Sequence, residues 1–331
     1  MRILTIAMIL IGSVTGVVPA LAASPTAIAQ RPPAKQPRAA IKGQRIFFCG
    51  HSFHFHLPAE LEDVVKRGGI LDQEIVGQSM IGGSKSLTHW QVRDEDNQAK
   101  AALVAGEVDV LTLTPIYLPD AGIEKFAQLG FQHNPNFRIA LQEFWLPFDR
   151  YEPHYYDPPL IPAPEYVNHN ALSLPVLKKM HAFYYKQMDQ QVLDINEKLG
   201  KQVVCVVPVG QAVMALREKL VAGKVPGLRL QSQLFTDALG HPAAPLRALI
   251  TYGYFSVIYR KSPVGLPVPR DLVTAGIPTQ FIVPLNRMLQ EIAWDAVKHH
   301  PLSGLKKHSS SPVEEEVKPG TAIEAVERET E

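Results

Sequence analysis

The chain has 331 residues with 33 basic and 32 acidic side chains, so its formal net charge is only +1. Its basic residues are scattered rather than clustered, which is not the electrostatic footprint of a nucleic-acid-binding protein, and we expect no nucleic-acid partner. The length fits one large α/β domain between two terminal extensions.

Residues 1–22 have the pattern of a secretory signal peptide. A positive start at Met1-Arg2 precedes an apolar run, and Ala20-Leu21-Ala22 is a small-residue cleavage site. The apolar run is shorter than the ~20 residues that a spanning helix needs, which disfavours the alternative of an uncleaved membrane anchor. We therefore expect an exported protein, periplasmic or secreted, with no stable membrane insertion after cleavage.

Two further terminal segments have compositions that are untypical of a packed core. Residues 23–44 contain four prolines and several bases but no acid, which predicts a Pro-rich, basic, extended linker. Residues 306–331 are rich in glutamate and poor in apolar side chains, which predicts a disordered acidic tail. The folded domain is then expected over residues 45–305.

Strand-like apolar runs alternate with helix-like amphipathic stretches along this domain. We predict strands at 45–49, 71–76, 108–112, 139–145 and 202–207, and helices at 57–66, 98–104, 174–199, 212–220, 246–259 and 284–299. Gly223 ends a helix and predicts another strand start near Leu228. This alternation predicts a three-layer, doubly wound α/β fold with a mostly parallel sheet and helices on both faces. Cys49 and Cys205 fall inside predicted strands, so we expect buried free thiols.

The segment Gly50-His51-Ser52-Phe53 follows the first predicted strand and precedes the first predicted helix. Open α/β sheets bind ligands at this end of their strands, which makes Ser52 a candidate nucleophile. A serine hydroxyl needs a base and a carboxylate that orients that base, and Asp237 and His241 supply both on one short loop. The alternative is a turn serine, a helix cap and a packing imidazole.

Acyl transfer also needs hydrogen-bond donors for the developing oxyanion. Gly82 and Gly83 come after the second predicted strand, and we expect the Gly83 N–H, with Gly82 and the Ser52 N–H, to serve this purpose; a simple turn is the alternative. Thr114, after the third predicted strand, is a further candidate donor.

These blocks resemble those of SGNH/GDSL-type hydrolases, over roughly Arg45 to Ser303. In that family a serine in a Gly-x-Ser block is the nucleophile, a glycine after the second strand binds the oxyanion, and an Asp and a His near the C-terminus complete the triad. Gly50-His51-Ser52-Phe53, Gly82-Gly83-Ser84 followed by His89-Trp90, and Asp237 with His241-Pro242 are the corresponding segments. The resemblance implies an SGNH/flavodoxin-like fold and a serine hydrolase that requires no cofactor.

Two features depart from the family pattern. The family has an asparagine after its third strand as another oxyanion donor, whereas residues 109–115 contain none. The family also places Asp three residues before His, whereas Asp237 lies four before His241. We expect a turn at Gly240 to absorb the additional residue.

Several neighbouring side chains admit other interpretations. We expect the substrate site to be lined by His51, His54, His89 and Tyr151. A candidate metal cluster is the alternative, formed by His51, His54 and His56 with Asp72 or His89. Their spacing matches no strong metal motif, and we expect no metal. A carboxylate pair after the fourth strand, Glu143 and Asp149, permits glycosidase-like acid/base chemistry, although a solvated or supporting role is favoured.

The stretch from Phe148 to Ser173 is a long, proline-rich loop with a cluster of tyrosines, Tyr151, Tyr155, Tyr156 and Tyr166, which suit either carbohydrate contact or plain packing. We predict an exported serine esterase that removes acetyl or short acyl groups from a small-molecule or glycan ester. The main alternative is a catalytically degenerate protein that binds a carbohydrate or another ligand in the same cleft.

Overall fold

A computed structural model describes residues 41–150, 167–171 and 173–305. The strands are β1 Arg45–Gly50, β2 Glu74–Met80, β3 Val110–Leu113, β4 Arg138–Gln142 and β5 Val204–Val207. The helices are α1 Leu57–Arg67, α2 Ser86–Trp90, α3 Gln98–Val104, α4 Ala121–His133, α5 Leu174–Lys198, α6 Val209–Val221, α7 Ala244–Tyr259, α8 Arg270–Val273 and α9 Thr279–His299. Short 3₁₀ helices lie at Pro147–Asp149 and Gln231–Leu234.

The five strands form one sheet in the order β2-β1-β3-β4-β5, and every neighbouring pair is parallel. Helices flank the sheet: α1, α7 and α9 pack together, as do α2, α3 and α4. The predicted three-layer α/β fold is confirmed, with an entirely parallel sheet. The strand order reverses between β1 and β3, which is the switch point where open α/β sheets bind ligands.

The centre of the sheet is buried on both faces, as expected for parallel strands covered by helices. In β1, Ile46, Phe47, Phe48 and Cys49 are at most 1% exposed, and all residues of β3 and β5 are buried. Strand β2 forms one edge and is partly exposed along its length. The segment that follows β1 is therefore anchored by a buried strand.

Three details differ from the sequence predictions. Strand β2 begins at Glu74 rather than near residue 71, because Leu71 is 78% exposed in the preceding turn. The strand predicted near Leu228 is wrong, because this segment buries Val225 and Leu228 from a loop. Helix α4 was not predicted, although its buried residues Ile123, Phe126, Ala127 and Gly130 have helical spacing.

The domain begins slightly before β1. Gly43 N donates to Asp72 Oδ1 at 2.9 Å and Gln44 N donates to Gln73 Oε1 at 3.1 Å, so the end of the predicted linker is attached to the domain. The predicted signal peptide, the rest of the linker, Tyr151 with its tyrosine cluster, and the acidic tail lie outside the described residues. Both cysteines are buried free thiols, as predicted. Among the described helices, none is both long and apolar enough to cross a membrane.

Candidate active site

The turn between β1 and α1 presents Ser52 at the carboxyl edge of the sheet. His54 N donates to His51 O at 2.8 Å and Leu57 N donates to His54 O at 3.0 Å, so consecutive turns lead directly into the helix. Ser52 is partly exposed between the buried residues His51 and Phe53. The end of β1 thus delivers one accessible hydroxyl at the switch point of the sheet.

Ser52, His241 and Asp237 form a continuous chain of contacts. His241 Nε2 lies 2.7 Å from Ser52 Oγ, and His241 Nδ1 lies 2.6 Å from Asp237 Oδ2. A carboxylate oxygen can only accept, so Nδ1 carries the proton and Nε2 accepts from the Ser52 hydroxyl. This is the tautomer that a general base for serine requires.

The turn at residues 237–241 accommodates the long Asp–His spacing. Asp237 Oδ1 accepts from Gly240 N at 3.0 Å and from His241 N at 3.1 Å. Gly240 has φ +97°, a conformation that glycine adopts without steric cost. Partial burial acts to raise the pKa of Asp237, but the hydrogen bonds from His241 and Gly240 outweigh it and lower the pKa. The carboxylate therefore stays ionised, accepts hydrogen bonds from the backbone of its own turn and orients the imidazole.

An aromatic cluster behind the triad holds this turn in place. Phe53 stacks on Trp145 with ring centroids 4.8 Å apart, and the edge of His241 meets Phe53 at 4.9 Å. Trp145 Nε1 donates to Gly240 O at 2.9 Å. Sequence reasoning missed Trp145, although an aromatic residue just beyond a buried strand is a usable signal.

The Gly82-Gly83 turn lies beside the serine turn. Ile81 N donates to Gly50 O at 3.1 Å, which joins the ends of β1 and β2. Both glycines are exposed, Gly83 has φ +66°, and a Cβ on either would meet no atom within 4 Å. Within the described part of the chain, the N–H groups of Ser52, Gly82 and Gly83 have no protein acceptor. These are open donors of the kind that an oxyanion requires.

His89 supports the glycine turn from below rather than lining an open cleft. It is 2% exposed, and its two ring nitrogens lie 2.8 Å from Ser79 Oγ and 2.7 Å from Ser84 Oγ. Burial lowers its pKa to about 4, so the ring is neutral at physiological pH. Instead of lining a substrate cleft as predicted, His89 links strand β2, through Ser79, to the glycine turn, through Ser84.

His51 and His54 are likewise buried, at 2% and 0% exposure, so neither is presented to a cleft. His54 bonds Gln142 and Thr112 with its two ring nitrogens. The backbone N–H of His51 donates to Thr114 Oγ1 at 3.2 Å. The Thr114 hydroxyl, a candidate oxyanion donor, is therefore a hydrogen-bond acceptor in this contact. Burial lowers the pKa of both rings to about 3, and both are neutral.

The described residues do not assemble the alternative sites. No group of three or more His, Cys, Asp or Glu side chains converges in residues 41–150, 167–171 and 173–305 to hold a metal ion. The carboxylates Glu143 and Asp149 are 0% and 2% exposed rather than solvated. Glu143 accepts from Gln211, whereas Asp149 is paired with Arg217 and His169. Two separately buried carboxylates do not form a glycosidase site.

Comparisons with known proteins give little further guidance. No protein-family model matches the chain, and no curated protein matches it either. A solved structure of a DUF4886 family protein from Bacteroides uniformis ATCC 8492 is similar over 80% of this chain and 100% of that chain, with a TM-score of 0.47 and 13% sequence identity.

Proposed function

We propose that this protein is an exported serine hydrolase that cleaves ester bonds. The observation that carries the proposal is the chain of contacts from Ser52 Oγ through His241 to Asp237, at 2.7 and 2.6 Å, at the switch point of a parallel sheet. Nucleophile, base and orienting carboxylate within hydrogen-bond reach define this class of chemistry on many unrelated folds.

In the proposed reaction, Ser52 Oγ attacks the ester carbonyl carbon while His241 Nε2 takes the hydroxyl proton. The N–H groups of Gly83, Gly82 and Ser52 receive the oxyanion, and the Thr114 hydroxyl, which accepts from the His51 backbone N–H, is a further candidate donor. When the tetrahedral intermediate collapses, His241 returns the proton to the leaving alcohol and an acyl-Ser52 ester remains. Water, activated by His241, then releases the carboxylic acid and restores the serine. No cofactor takes part.

The exposure of the site bears on the size of the alcohol portion that it can accept. The side chain of Asp237 is 46% exposed and that of His241 is 29% exposed. Gly82 and Gly83 are exposed beside them, so the site is open at the rim. Such a site accommodates a large leaving group, and we propose acetyl or short acyl groups on a carbohydrate as substrates.

The first prediction tests Ser52 as the nucleophile. Ser52→Ala should abolish both labelling by a fluorophosphonate probe and hydrolysis of p-nitrophenyl acetate, while the unfolding temperature stays within about 2 °C, because a partly exposed hydroxyl adds little to stability. Adding His241→Ala should cost little more, because the two residues act as one unit. Asp237→Ala alone should be milder, because this carboxylate orients the base without taking the proton.

Ser173→Ala is the matched control, because Ser173 is exposed and its side chain makes no capping bond at the start of α5. It should label and hydrolyse as the unaltered protein does. If the unaltered protein neither labels nor hydrolyses any ester in a panel of acyl chain lengths, yet binds an acylated glycan, then the hydrolase proposal is wrong and a ligand-binding protein built on the same cleft replaces it.

A further inference from the structure

A buried ionic network lies directly behind the turn that carries Asp237. Arg217 is 1% exposed on α6, and its guanidinium bonds both oxygens of Asp149, at 2.5 and 2.9 Å. The same guanidinium donates to Gln231 Oε1 and to His169 O. His169, 5% exposed, places Nδ1 at 3.0 Å from Asp149 Oδ2 and Nε2 at 3.0 Å from the backbone oxygen of Asp237. The network therefore ends at the backbone oxygen of Asp237, whose side chain contacts His241.

The two partners of His169 determine its charge. A carboxylate oxygen and a carbonyl oxygen both accept, so both ring nitrogens must donate and the ring is an imidazolium. Among the residues that the structure describes, the charged groups that act on it are Asp149 and Arg217, and the same two groups act on His181 of α5. Burial and Arg217 act to lower the pKa of His169, but the bonds to Asp149 and to the Asp237 carbonyl outweigh them and raise it.

The backbone that presents Asp149 is strained. Phe148 has φ +55° and Asp149 has φ +50°, a region that side chains other than glycine rarely adopt. Strain of this kind concentrates at functional sites. A fully buried Arg–Asp pair is also weak as a source of stability, because desolvation offsets most of the attraction. Stability alone is a poor reason for this arrangement.

We propose that His169 is a positioning residue that, as an imidazolium anchored by Asp149 and Arg217, fixes the Asp237 carbonyl and thereby the orientation of His241. This inference rests on the proposed hydrolase function. The side chain of Asp237 is 46% exposed, so its position depends on the backbone rather than on packing of the carboxylate. The backbone oxygen of Asp237 accepts from His169 Nε2 at 3.0 Å and from Gly240 N at 3.2 Å. A displacement of ~1 Å in a catalytic group costs on the order of 100-fold in rate, which gives such an anchor a large effect.

Deprotonation of His169 should release the anchor. A neutral ring keeps one proton, and the carboxylate of Asp149 is the stronger acceptor, so the proton stays on Nδ1. Nε2 then directs a lone pair at the Asp237 carbonyl, and the contact becomes repulsive. The orientation of His241 should therefore be lost as the pH rises through the raised pKa of His169.

Two variants of the full chain separate the two bonds of His169. His169→Asn retains a donor near the Nδ1 position and loses the bond to Asp237, whereas His169→Gln places a non-titrating donor near the Nε2 position. We expect His169→Asn to lower kcat by roughly 10- to 100-fold with little change in KM. We expect the kcat of the unaltered protein to decline at alkaline pH, and we expect His169→Gln to recover most of the rate and to remove this decline.

The second readout is independent of turnover. The Nδ1 proton of His241, shared with Asp237, should give a downfield NMR resonance, which is assigned by its loss in His241→Ala. This resonance should weaken in the unaltered protein as the pH rises and should be absent in His169→Asn. A His169→Asn protein with an unchanged kcat and an unchanged resonance overturns the proposal. Failure of Ser52 to label overturns the hydrolase function instead, while the pH titration of the resonance still decides whether His169 positions His241.

Discussion

Five histidines near the carboxyl edge fall into three kinds of environment, and each environment sets what the ring can do. His51, His54 and His89 are buried and bonded to neutral groups, so the cost of desolvation keeps them uncharged. His169 faces two acceptors, one of which is a carboxylate, and this favours the charged form. Among these rings, His241 combines partial exposure with contacts to a hydroxyl and a carboxylate. Among these rings, His241 therefore has the surroundings that the proposed proton transfer requires.

Glu143 provides a test of electrostatics at the residue scale. It is fully buried, and burial raises its pKa from 4.5 to about 7 even though Gln211 donates two hydrogen bonds to it. A carboxyl group whose pKa is higher in the folded state destabilises the fold increasingly as the pH rises from about 4, its unfolded value, to about 7. Above that range the cost is constant, on the order of 3 kcal/mol.

We therefore expect Glu143→Gln to be less stable than, or equal to, the unaltered protein near pH 4 and to gain relative stability up to pH 7. Denaturant unfolding of both proteins at several pH values measures this difference. Glu124→Gln is a suitable control, because Glu124 pairs with Lys198 at the surface. A pH-independent difference between the Glu143→Gln protein and the unaltered protein would contradict a buried, protonation-dependent carboxyl.

At the scale of elements, the junction between β1 and α1 determines where Ser52 lies. A Cβ on Gly50 would lie 2.6 Å from the His54 ring, and that ring cannot retreat because Gln142 and Thr112 hold both of its nitrogens. Gly50→Ala should therefore cost about 1–3 kcal/mol, as overpacking does. It should also displace the turn that carries Ser52 and slow labelling by a fluorophosphonate.

Gly82→Ala is the matched stability control for this junction. A Cβ there meets no atom within 4 Å, so the unfolding temperature should stay unchanged. For Gly50→Ala the expected loss is about 2–4 °C for each kcal/mol in a domain of this size. Equal unfolding temperatures for both variants would mean that the β1–α1 turn adapts without strain.

Much of this layout is predictable from local sequence, and the failures have identifiable causes. Buried parallel strands are continuous apolar runs, so β1, β3 and β5 are readily recognised. The edge strand β2 mixes polar and apolar residues, so the sequence predicts its start near residue 71, whereas the strand begins at Glu74. Near Leu228 an apolar segment is buried from a loop, and no local signal separates that outcome from a short strand.

The site was partly predictable for the same reason. Ser52, Asp237 and His241 each lie in a loop marked by glycine, and the fold class implies a shared edge. The network of Asp149, His169 and Arg217 was missed, because its members are 20 to 68 positions apart and their pairing depends on tertiary contacts. One signal was available: Arg217 lies on the apolar face of α6, between the buried residues Leu216 and Leu220. A charged residue in such a position needs a buried partner.

For the whole molecule, topology joins residues that are far apart in sequence. Ser52 and His241 are separated by 189 positions, yet they meet because β1 lies near the centre of the sheet and the loop before α7 returns to the same edge. Trp145, which follows β4, donates a hydrogen bond to the Gly240 carbonyl and so links the end of β4 to the loop that carries His241. The proximity of Ser52, His241 and Asp237 therefore depends on the integrity of the entire sheet rather than on one local motif.

The extent of the folding unit gives the last prediction. Residues 41–44 are bonded to the loop before β2, and Arg45 N and its guanidinium both contact the carboxylate of Asp109. The preceding linker and the acidic tail have the compositions of unstructured chain. A fragment spanning 41–305 should therefore unfold at the same temperature as the chain spanning 23–331, whereas a fragment spanning 46–305 should lose about 1–3 kcal/mol with those bonds. Thermal unfolding followed by circular dichroism compares all three. A lower unfolding temperature for 41–305 than for 23–331 would show that a terminal segment contributes to the fold, and the assigned start of the domain would then be wrong.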